Sequence, residues 1–239
     1  GENELEKVKA AGKLVIGVEG TYPPFTYHDD NGELTGLDVE LGKALAEKLG
    51  VEVEFQEAAW DSLLIGIDTG RFDTVINSVS ITDERAEKYD FSTPYAFNRT
   101  AVITKADDDS INTLEDLKGK KTANTISSTY AELAEQYGAT VTGVDDLNQT
   151  FELLLSGRID ATLNAEMTFY DYTKEHPDAN VKIAVLTDDA NRIAIPMRKG
   201  DETAALRTAI DAAIDELRAD GTLKALSEKY FGRDISTEE

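Results

Sequence analysis

The sequence predicts an α/β protein built from two similar Rossmann-like lobes, because one short pattern occurs twice. The frame Gly-Arg-apolar-Asp-x-x-apolar-Asn-small is present in GRFDTVINS, which begins at Gly70, and in GRIDATLNA, which begins at Gly157. Both copies follow a segment whose apolar residues recur at the i, i+3, i+4, i+7 spacing of an amphipathic helix. Each Gly stands where such a helix would end in a left-handed cap, and the residues after it are typical of a short buried strand.

Each copy extends further towards the N-terminus. In the first copy a strand, KLVIGV, precedes a helix, LDVELGKALAEKLG, and an alternating strand, VEVEF. In the second copy the corresponding segments are KKTANT, TYAELAEQYG and ATVTGV. Strands joined through right-handed helical crossovers pair in parallel. We therefore expect two β-α-β-α-β units, each with its own parallel sheet covered by helices.

The composition changes where the first lobe should end, in DFSTPYAFNRTAVITKADDDSI, and two apolar runs in VKIAVLTDDANRIAIPMRKGD precede two C-terminal helices. These features predict a first lobe at 1–99, a second lobe at 100–192 and a return to the first lobe at 193–239. The chain would then cross between the lobes twice. Two connecting strands make a hinge, with a ligand cleft where the strand ends face each other.

The composition excludes several classes of function. With 47 acidic and 24 basic residues the formal net charge is −23, which repels nucleic acid and anionic membranes. Without cysteine there is neither a disulfide framework nor a thiolate metal site, and no apolar run approaches the length of a membrane span. His28 and His176 lie in polar, turn-like contexts, so we expect no metal site there. The opening GENELEKVKAAG has neither a start Met nor a signal sequence, as expected of a mature form.

Six motifs in order give the chain a family resemblance. They are IGVEGTYPPFTY, GLDVELGKALAEKLG, SITDERAEKYDFSTPY, LKGKK, GRIDA and the ending RKGDETAALRTAIDAAIDELRADGTLKALSEKYFG. Together they resemble the periplasmic amino-acid-binding proteins of polar amino-acid ABC importers, solute-binding protein family 3. The segments EGTYPPF, AWDSLL, INSVSITDER and TISSTYAELA are most similar to the cystine-binding branch.

The resemblance implies a periplasmic binding protein type II fold that closes on a free amino acid by hinge bending. L-cystine is the first candidate ligand, and another polar amino acid is the alternative. The implied partner is the membrane permease of an ABC importer, and the implied location is the periplasm or the extracellular face of the cytoplasmic membrane. We expect a monomer that has no cofactor, binds no nucleic acid and is not an enzyme.

The stretch SITDERAEKYDFS holds the clearest candidate for ligand binding. Arg85 follows a buried strand on a turn, and a planar guanidinium can hold a carboxylate through two parallel charge-assisted bonds. The alternative is a surface ion pair with the adjacent acids of DERAEK. The resemblance assigns Arg85 to the ligand α-carboxylate. By the same resemblance, Ser78 and Ser80 match family positions that offer a backbone carbonyl to the α-amino group of the ligand and hydrogen-bond donors to its carboxylate.

Three further candidates lie in the first lobe. The loop TYPPFTY contains Tyr22 and Phe25, and Trp60 begins the second helix. Aromatic rings are most often core residues. By resemblance, Tyr22 and Trp60 stack on the ligand side chain whereas Phe25 packs in the core. Glu19 matches a position that meets a polar or amino-bearing ligand side chain.

In the second lobe, TISSTYAELAEQYG brings hydroxyl groups to the start of a helix. Helix N-termini bind anions, so Ser127, Ser128 and Thr129 are candidates for a second contact with a carboxylate. The alternative is simple capping by Ser128 or Thr129, which needs only one hydroxyl. The sequence has more hydroxyls here than capping requires, which favours ligand contact.

Glu166 is the candidate that departs from the family. Most relatives have an Asp at the strand end after the second Gly-Arg frame, where this chain has Ala165 followed by Glu166. Neighbours on a strand point to opposite sides, so Glu166 does not automatically take the role of the family Asp, which pairs with the ligand α-amino group. A strand that ends by Asn164, followed by a turn, would redirect the Glu166 carboxylate into the cleft. The alternative is a solvated acid at the start of the helix MTFYDYTKEH.

An enzyme on the same fold is the main competing function. The resembling family includes a cyclohexadienyl dehydratase, and a closing cleft with acidic residues also suits a lyase. The chain, however, contains none of the nucleophile-elbow, phosphate-loop, zinc-protease or dinucleotide motifs. No acid and base pair is evident at the candidate cleft positions. A ligand-gated channel domain shares the fold but carries membrane helices. We therefore predict binding rather than catalysis.

Overall fold

The computed structural model describes residues 3–125, 128–144 and 147–238. The described chain divides into two compact units. The first lobe comprises the described residues up to Phe97 and those from Asn191 onward, and the second lobe is Asn98–Ala190. The polypeptide therefore crosses between the lobes twice. No helix in the described ranges is long and apolar enough to cross a membrane.

Helices and strands alternate along most of the chain. The helices of the described residues are α1 (Glu4–Ala11), α2 (Leu37–Leu49), α3 (Trp60–Asp68), α4 (Asp83–Lys88), α5 (Thr129–Gln136), α6 (Leu147–Leu155), α7 (Glu166–Glu175), α8 (Ala204–Ala219) and α9 (Thr222–Phe231). The strands are β1 (Lys13–Val18), β2 (Tyr27–His28), β3 (Leu34–Thr35), β4 (Glu52–Glu57), β5 (Thr74–Val75), β6 (Tyr89–Phe91), β7 (Ala96–Asn98), β8 (Thr100–Lys105), β9 (Lys121–Thr125), β10 (Thr140–Val144), β11 (Thr162–Ala165), β12 (Val181–Leu186), β13 (Asn191–Ile193) and β14 (Pro196–Arg198).

The first lobe is built around a parallel sheet with the strand order β4-β1-β5. Its central strand β1 buries Leu14, Ile16 and Val18 completely. α2 follows β1 and α3 follows β4, so the strands are connected through helices as the β-α-β-α-β pattern predicts. The predicted turn after α3 is also present, since Gly70 has a left-handed φ of 76°. In the second copy Gly157 has a φ of 77°.

The second lobe departs from the predicted all-parallel sheet. β9 and β10 pair in parallel, and a single parallel bridge joins Thr122 to Ala161 just before β11. β11, however, pairs antiparallel with β8, which also pairs antiparallel with β12. β8 and β12 lie outside the repeated pattern, and the buried residues Ala101, Val102 and Ile103 of β8 bring it into the core. The repeat therefore accounts for only part of this lobe's sheet structure.

The segments on which the chain crosses between the lobes are short strands. β7 contains the first crossing point and β13 follows the second, and β7 and β13 pair with each other. The remaining strand pairs are the antiparallel hairpin β2-β3 and the antiparallel pair β14-β6. The chain returning from the second lobe thus completes the first lobe through β13, β14, α8 and α9.

Candidate functional site

Arg85 lies in α4 with its guanidinium half-buried. The Thr82 hydroxyl caps the helix by accepting from the Arg85 backbone N–H at 3.1 Å. The Nη1 atom of Arg85 donates to the Ser80 carbonyl at 2.9 Å, and the Cζ atom of Arg85 lies 5.5 Å from the centroid of the Trp60 ring. Desolvation by burial lowers the pKa of Arg85, and the charge of Glu84 acts in the opposite direction.

The alternative surface ion pair of Arg85 is not observed in the described part of the chain. Glu84 lies 4.0 Å from Lys88 instead. A half-buried guanidinium that lacks a carboxylate partner is suited to receive one from a ligand, because its N–H donors form a planar fork. The aromatic face of Trp60 restricts the orientation of that fork.

Ser78 adopts a left-handed backbone conformation, with a φ of 52°. This conformation is uncommon for any residue other than glycine. The Ser78 N–H donates to Asp38 Oδ2 at 2.7 Å, and the Tyr95 hydroxyl donates to Asp38 Oδ1 at 2.8 Å. Asp38 is fully buried, and burial raises its pKa to about 7, although the two hydrogen bonds act in the opposite direction.

Sequence reasoning did not identify Asp38, although a signal for it was present. Asp38 shares the buried face of α2 with Leu41, Gly42 and Leu45, at spacings of three, four and seven residues. An acid on the apolar face of an amphipathic helix is an exception to the pattern, because a buried carboxylate needs hydrogen-bond partners. Its partners lie far away in the sequence.

The segment after Ser78 is attached to the chain that returns from the second lobe. Ser80 forms an antiparallel bridge with Ile193. On either side of that bridge, the Ile81 N–H donates to the Arg192 carbonyl at 2.8 Å, and the Ala194 N–H donates to the Val79 carbonyl at 3.1 Å. The candidate ligand segment and the returning chain are therefore hydrogen-bonded to each other.

Glu19 follows β1 and is connected to Ser78 through Asn77. The Glu19 N–H donates to Asn77 Oδ1 at 2.8 Å, and the Thr26 hydroxyl donates to the same atom at 2.7 Å. The Glu19 carboxylate accepts from Thr21 Oγ1 at 3.2 Å and from Asn77 Nδ2 at 3.4 Å. These partners are neutral, so the described contacts leave the negative charge of Glu19 without a cation.

The aromatic candidates differ in exposure. Trp60 is 39% exposed at the first position of α3. Tyr22 is half-buried, and its ring centroid lies 5.1 Å from that of Phe25. Phe25 is 2% exposed and packs on Phe231, so the predicted core role of Phe25 is confirmed. Tyr22 and Trp60 keep surface available for a ligand.

The second-lobe hydroxyls fall partly outside the described residues. Ser127 lies outside them. Ser128 is the N-cap of α5, where its Oγ accepts from the Ala131 N–H at 3.1 Å. Thr129 is the first residue of the helix and is exposed. The capping contact is therefore present for Ser128, while the ligand role of all three residues stays a prediction.

Glu166 begins α7 directly after β11. The strand does not end by Asn164, because β11 continues through Ala165, which is 5% exposed, and the chain changes direction at Glu166, where α7 begins. The Glu166 N–H donates to the Arg99 carbonyl at 2.9 Å. Its carboxylate accepts from the Arg99 N–H at 3.4 Å and from the Tyr170 hydroxyl at 3.3 Å. The side chain is thus held at the start of the helix by two long hydrogen bonds.

A cavity of about 360 Å³ in the first lobe is separate from all these residues. It lies beside the first residue of β1, Lys13, whereas Glu19 follows the other end of that strand. Arg198, which lines it, pairs with Glu4 and Glu202. We assign no ligand to this cavity. Within the described ranges, no group of three or more His, Cys, Asp or Glu side chains could hold a metal ion.

The fold and the candidate residues define a class of protein. Two α/β lobes joined by two crossing strands are characteristic of two-lobed solute-binding proteins, and a half-buried arginine without an acidic partner among the described residues suits the binding of an anionic ligand group. The chain belongs to the bacterial extracellular solute-binding proteins, family 3, whose model matches residues 14–233.

Individual relatives agree with this assignment. A Haemophilus influenzae protein named as a probable amino-acid ABC transporter-binding protein is 42% identical over 98% of this chain and 89% of its own length. The L-cystine-binding protein TcyA of Bacillus subtilis is 41% identical over 96% of this chain and 85% of its own. The crystal structure of the unliganded L-cystine solute receptor of Neisseria gonorrhoeae is 43% identical, covers 98% of both chains and has a TM-score of 0.82.

These findings confirm three of the predictions made from the sequence. The family is the predicted one, and the fold is the predicted two-lobed α/β class. The relatives are named as binding proteins over nearly the whole chain, so the prediction of binding rather than catalysis is also confirmed. The dehydratase alternative is not favoured.

Proposed function

We propose that this protein binds a free amino acid in the periplasm or at the extracellular face of the cytoplasmic membrane and delivers it to the permease of an ABC importer. L-cystine is the first candidate ligand. The observation that carries the proposal is the half-buried guanidinium of Arg85, which lies over Trp60 and lacks a carboxylate partner among the described residues. Relatives named for L-cystine binding, at 41% and 43% identity, support this choice of ligand.

The α-carboxylate of the ligand binds Arg85 and donors of the Ser80 segment in this proposal. The Ser78 carbonyl accepts from the α-amino group. Such charge-assisted hydrogen bonds contribute roughly 1.5–3 kcal/mol each. In the second lobe, Ser128 and Thr129 at the start of α5 provide a second group of donors for a carboxylate, and we propose the same role for Ser127, which precedes them in the sequence.

L-cystine fits the remaining candidates because it has two α-amino and two α-carboxylate groups. The negative charge of Glu19 has only neutral partners in the described contacts, and we propose that it binds one ammonium group. We propose Glu166 for an ammonium group from the second lobe. Tyr22 and Trp60 stack on the central part of the ligand, where the polarizable disulfide makes favourable contacts with aromatic rings.

Ligand transfer in this proposal uses hinge bending at the two crossing strands. A ligand that contacts both lobes favours the closed population, because its differential affinity shifts the conformational equilibrium. The closed monomer is the form that the permease recognises. Neither a cofactor nor nucleic acid takes part.

A thermal-shift screen over the standard amino acids and L-cystine tests the proposed ligand class. A ligand present at one hundred times its dissociation constant stabilises the folded state by about 2.7 kcal/mol. Because the chain has no cysteine, L-cystine can be used without disulfide exchange with the protein. We expect a rise in Tm with L-cystine or with another polar amino acid. No shift with any of them refutes the proposed function.

Arg85→Ala tests the site by calorimetry. We expect the affinity to fall by about 2–5 kcal/mol, because an unpaired ligand carboxylate in a closed site is costly. Arg71→Ala is the matched control, since Arg71 also lies over an aromatic ring, that of Phe72 at 5.0 Å, but hydrogen-bonds to Gln56. Affinity of Arg85→Ala within threefold of the wild type overturns the assignment of Arg85.

A further inference from the structure

Asp38 joins three segments of the first lobe that surround the candidate site. Its side chain accepts from the Ser78 N–H and from the Tyr95 hydroxyl. Its own N–H donates to the Phe25 carbonyl at 3.0 Å, and the Leu37 N–H donates to the Pro24 carbonyl at 2.9 Å. One residue therefore connects the loop that carries Tyr22, the segment that carries Ser78, and the chain that leads into β7.

The start of α2 is held closely against the aromatic loop. Gly36, which precedes the helix, has a φ of 125°, and a Cβ atom built there would lie 2.1 Å from the Phe25 carbonyl oxygen. Only a residue without a side chain fits this approach. These contacts hold the backbone at Asp38 against the aromatic loop.

Tyr95 extends these contacts towards the crossing strands. Its side chain is 1% exposed, and its N–H donates to the Ile193 carbonyl at 2.9 Å. Ile193 is also the residue that bridges to Ser80. Tyr95, which donates to the Asp38 carboxylate, and Ser80 therefore both pair with Ile193 of the returning chain.

We propose that Asp38 is a positioning residue for ligand binding, which holds Ser78 in its left-handed conformation and so directs the Ser78 carbonyl and the following segment towards the ligand. Conformations of this kind persist only where surrounding contacts enforce them. Without its acceptor the Ser78 N–H would be unpaired, and the segment would relax towards negative φ, which rotates the carbonyl. This inference rests on the proposed function.

A purely structural role for Asp38 explains these contacts less well than a positioning role does. Burying a carboxylate away from water opposes folding, and packed apolar side chains of similar volume often replace buried charges at no loss of stability. The contacts of Asp38 instead go to the backbone of a candidate ligand residue and to a residue next to a crossing strand. These contacts hold the backbone of the candidate site in one geometry.

Calorimetry on two substitutions at Asp38 tests the proposal. The wild-type protein and each variant are titrated with L-cystine and with whichever amino acid the thermal-shift screen detects. We expect Asp38→Ala to weaken affinity about tenfold or more at a temperature where circular dichroism shows it folded. We expect Asp38→Asn to stay within about threefold of the wild type, because its amide oxygen accepts from Ser78 and its amide nitrogen donates to Tyr95.

Asp73→Ala is the matched control, because Asp73 also accepts a backbone N–H, that of Val15 at 2.8 Å, and burial also raises its pKa. We expect it to lower the Tm of the unliganded protein while affinity stays within twofold. Affinity within twofold for Asp38→Ala, or an equal loss of affinity for Asp73→Ala, overturns the positioning role. A wild-type protein that binds none of the ligands refutes the proposed function, and this inference falls with it.

A second pair of variants keeps the test decisive if Asp38→Ala does not fold. Tyr95→Phe removes one hydrogen bond to Asp38, and we expect it to weaken affinity about threefold or more. Tyr89→Phe is its control, since the Tyr89 hydroxyl donates to Asp68 at 2.9 Å. We expect Tyr89→Phe to leave affinity within twofold. Unchanged affinity in folded Tyr95→Phe overturns the inference.

Discussion

The buried carboxyl group of Asp38 should make the stability of the unliganded protein depend on pH. Its pKa is about 7 in the folded protein against an ordinary value of 3.8. The folded state therefore holds the proton more tightly than the unfolded state does. The resulting stabilisation is fully present below pH 3.8, falls as the pH rises, and is lost above about pH 7. Asp38→Asn removes this contribution because an amide does not titrate.

The size of the effect follows from the pKa difference. The folded-state pKa of about 7 exceeds the ordinary value of 3.8 by about 3. At 1.36 kcal/mol per unit this corresponds to about 4 kcal/mol over the whole range. Integration over the measurable interval gives a loss of about 3 kcal/mol between pH 5 and pH 8.

Urea unfolding at pH 5, 6, 7 and 8 measures the effect. Trp60 is the only tryptophan and lies in the same lobe as Asp38, so its fluorescence reports unfolding of that lobe. Between pH 5 and pH 8, the free energy of unfolding of the wild type, measured relative to that of Asp38→Asn, should fall by the amount given above. Asp30→Asn, which removes an exposed carboxylate, is the control for the loss of one negative charge. A difference between wild type and Asp38→Asn that is constant from pH 5 to pH 8 refutes the reasoning.

Three further predictions concern the ligand and the fold. Ligand binding should change Trp60 fluorescence in a saturable way, and no change with a ligand that calorimetry detects would remove Trp60 from the site. Glu166→Gln should weaken binding of a zwitterionic amino acid and leave the unliganded Tm nearly unchanged, whereas the opposite pattern, measured by calorimetry and thermal melts, identifies a helix-end role. Gly36→Ala should lower the free energy of unfolding by more than about 2 kcal/mol, because its Cβ would meet a backbone oxygen at 2.1 Å. Gly12→Ala, with no atom within 4 Å of its Cβ, should lower it less in the same urea experiment.

Much of the fold could be predicted because its signals are local. Helix periodicity and the following glycine predicted α3 and α6, and Gly70 and Gly157 have the expected left-handed φ values. The antiparallel pairing of β8 with β11 and β12 could not be predicted in this way. It depends on which buried strands meet across distant parts of the chain, and a local pattern contains no information on that choice.

The candidate site shows the same division between local and distant signals. The capping of α4 by Thr82 and the exposed Trp60 at the start of α3 follow from nearby sequence. The position of the Arg85 guanidinium over Trp60 and the contact between Asp38 and Tyr95 join residues that are 25 and 57 positions apart. Such contacts arise only when the lobe has assembled, so sequence motifs and hydrophobic periodicity could not predict them.

The split first lobe has a consequence for the order in which the protein forms during synthesis. The second lobe is one continuous stretch, Asn98–Ala190, whereas the first needs residues from Asn191 onward to be complete. β6 acquires its partner β14, and Ser80 its partner Ile193, only after those residues have been made. A growing chain can therefore finish its second lobe while the first still exposes unpaired strand edges, since domains fold as their residues become available. The segment from Ser80 to Arg85 is therefore among the last parts of the molecule to acquire its native contacts.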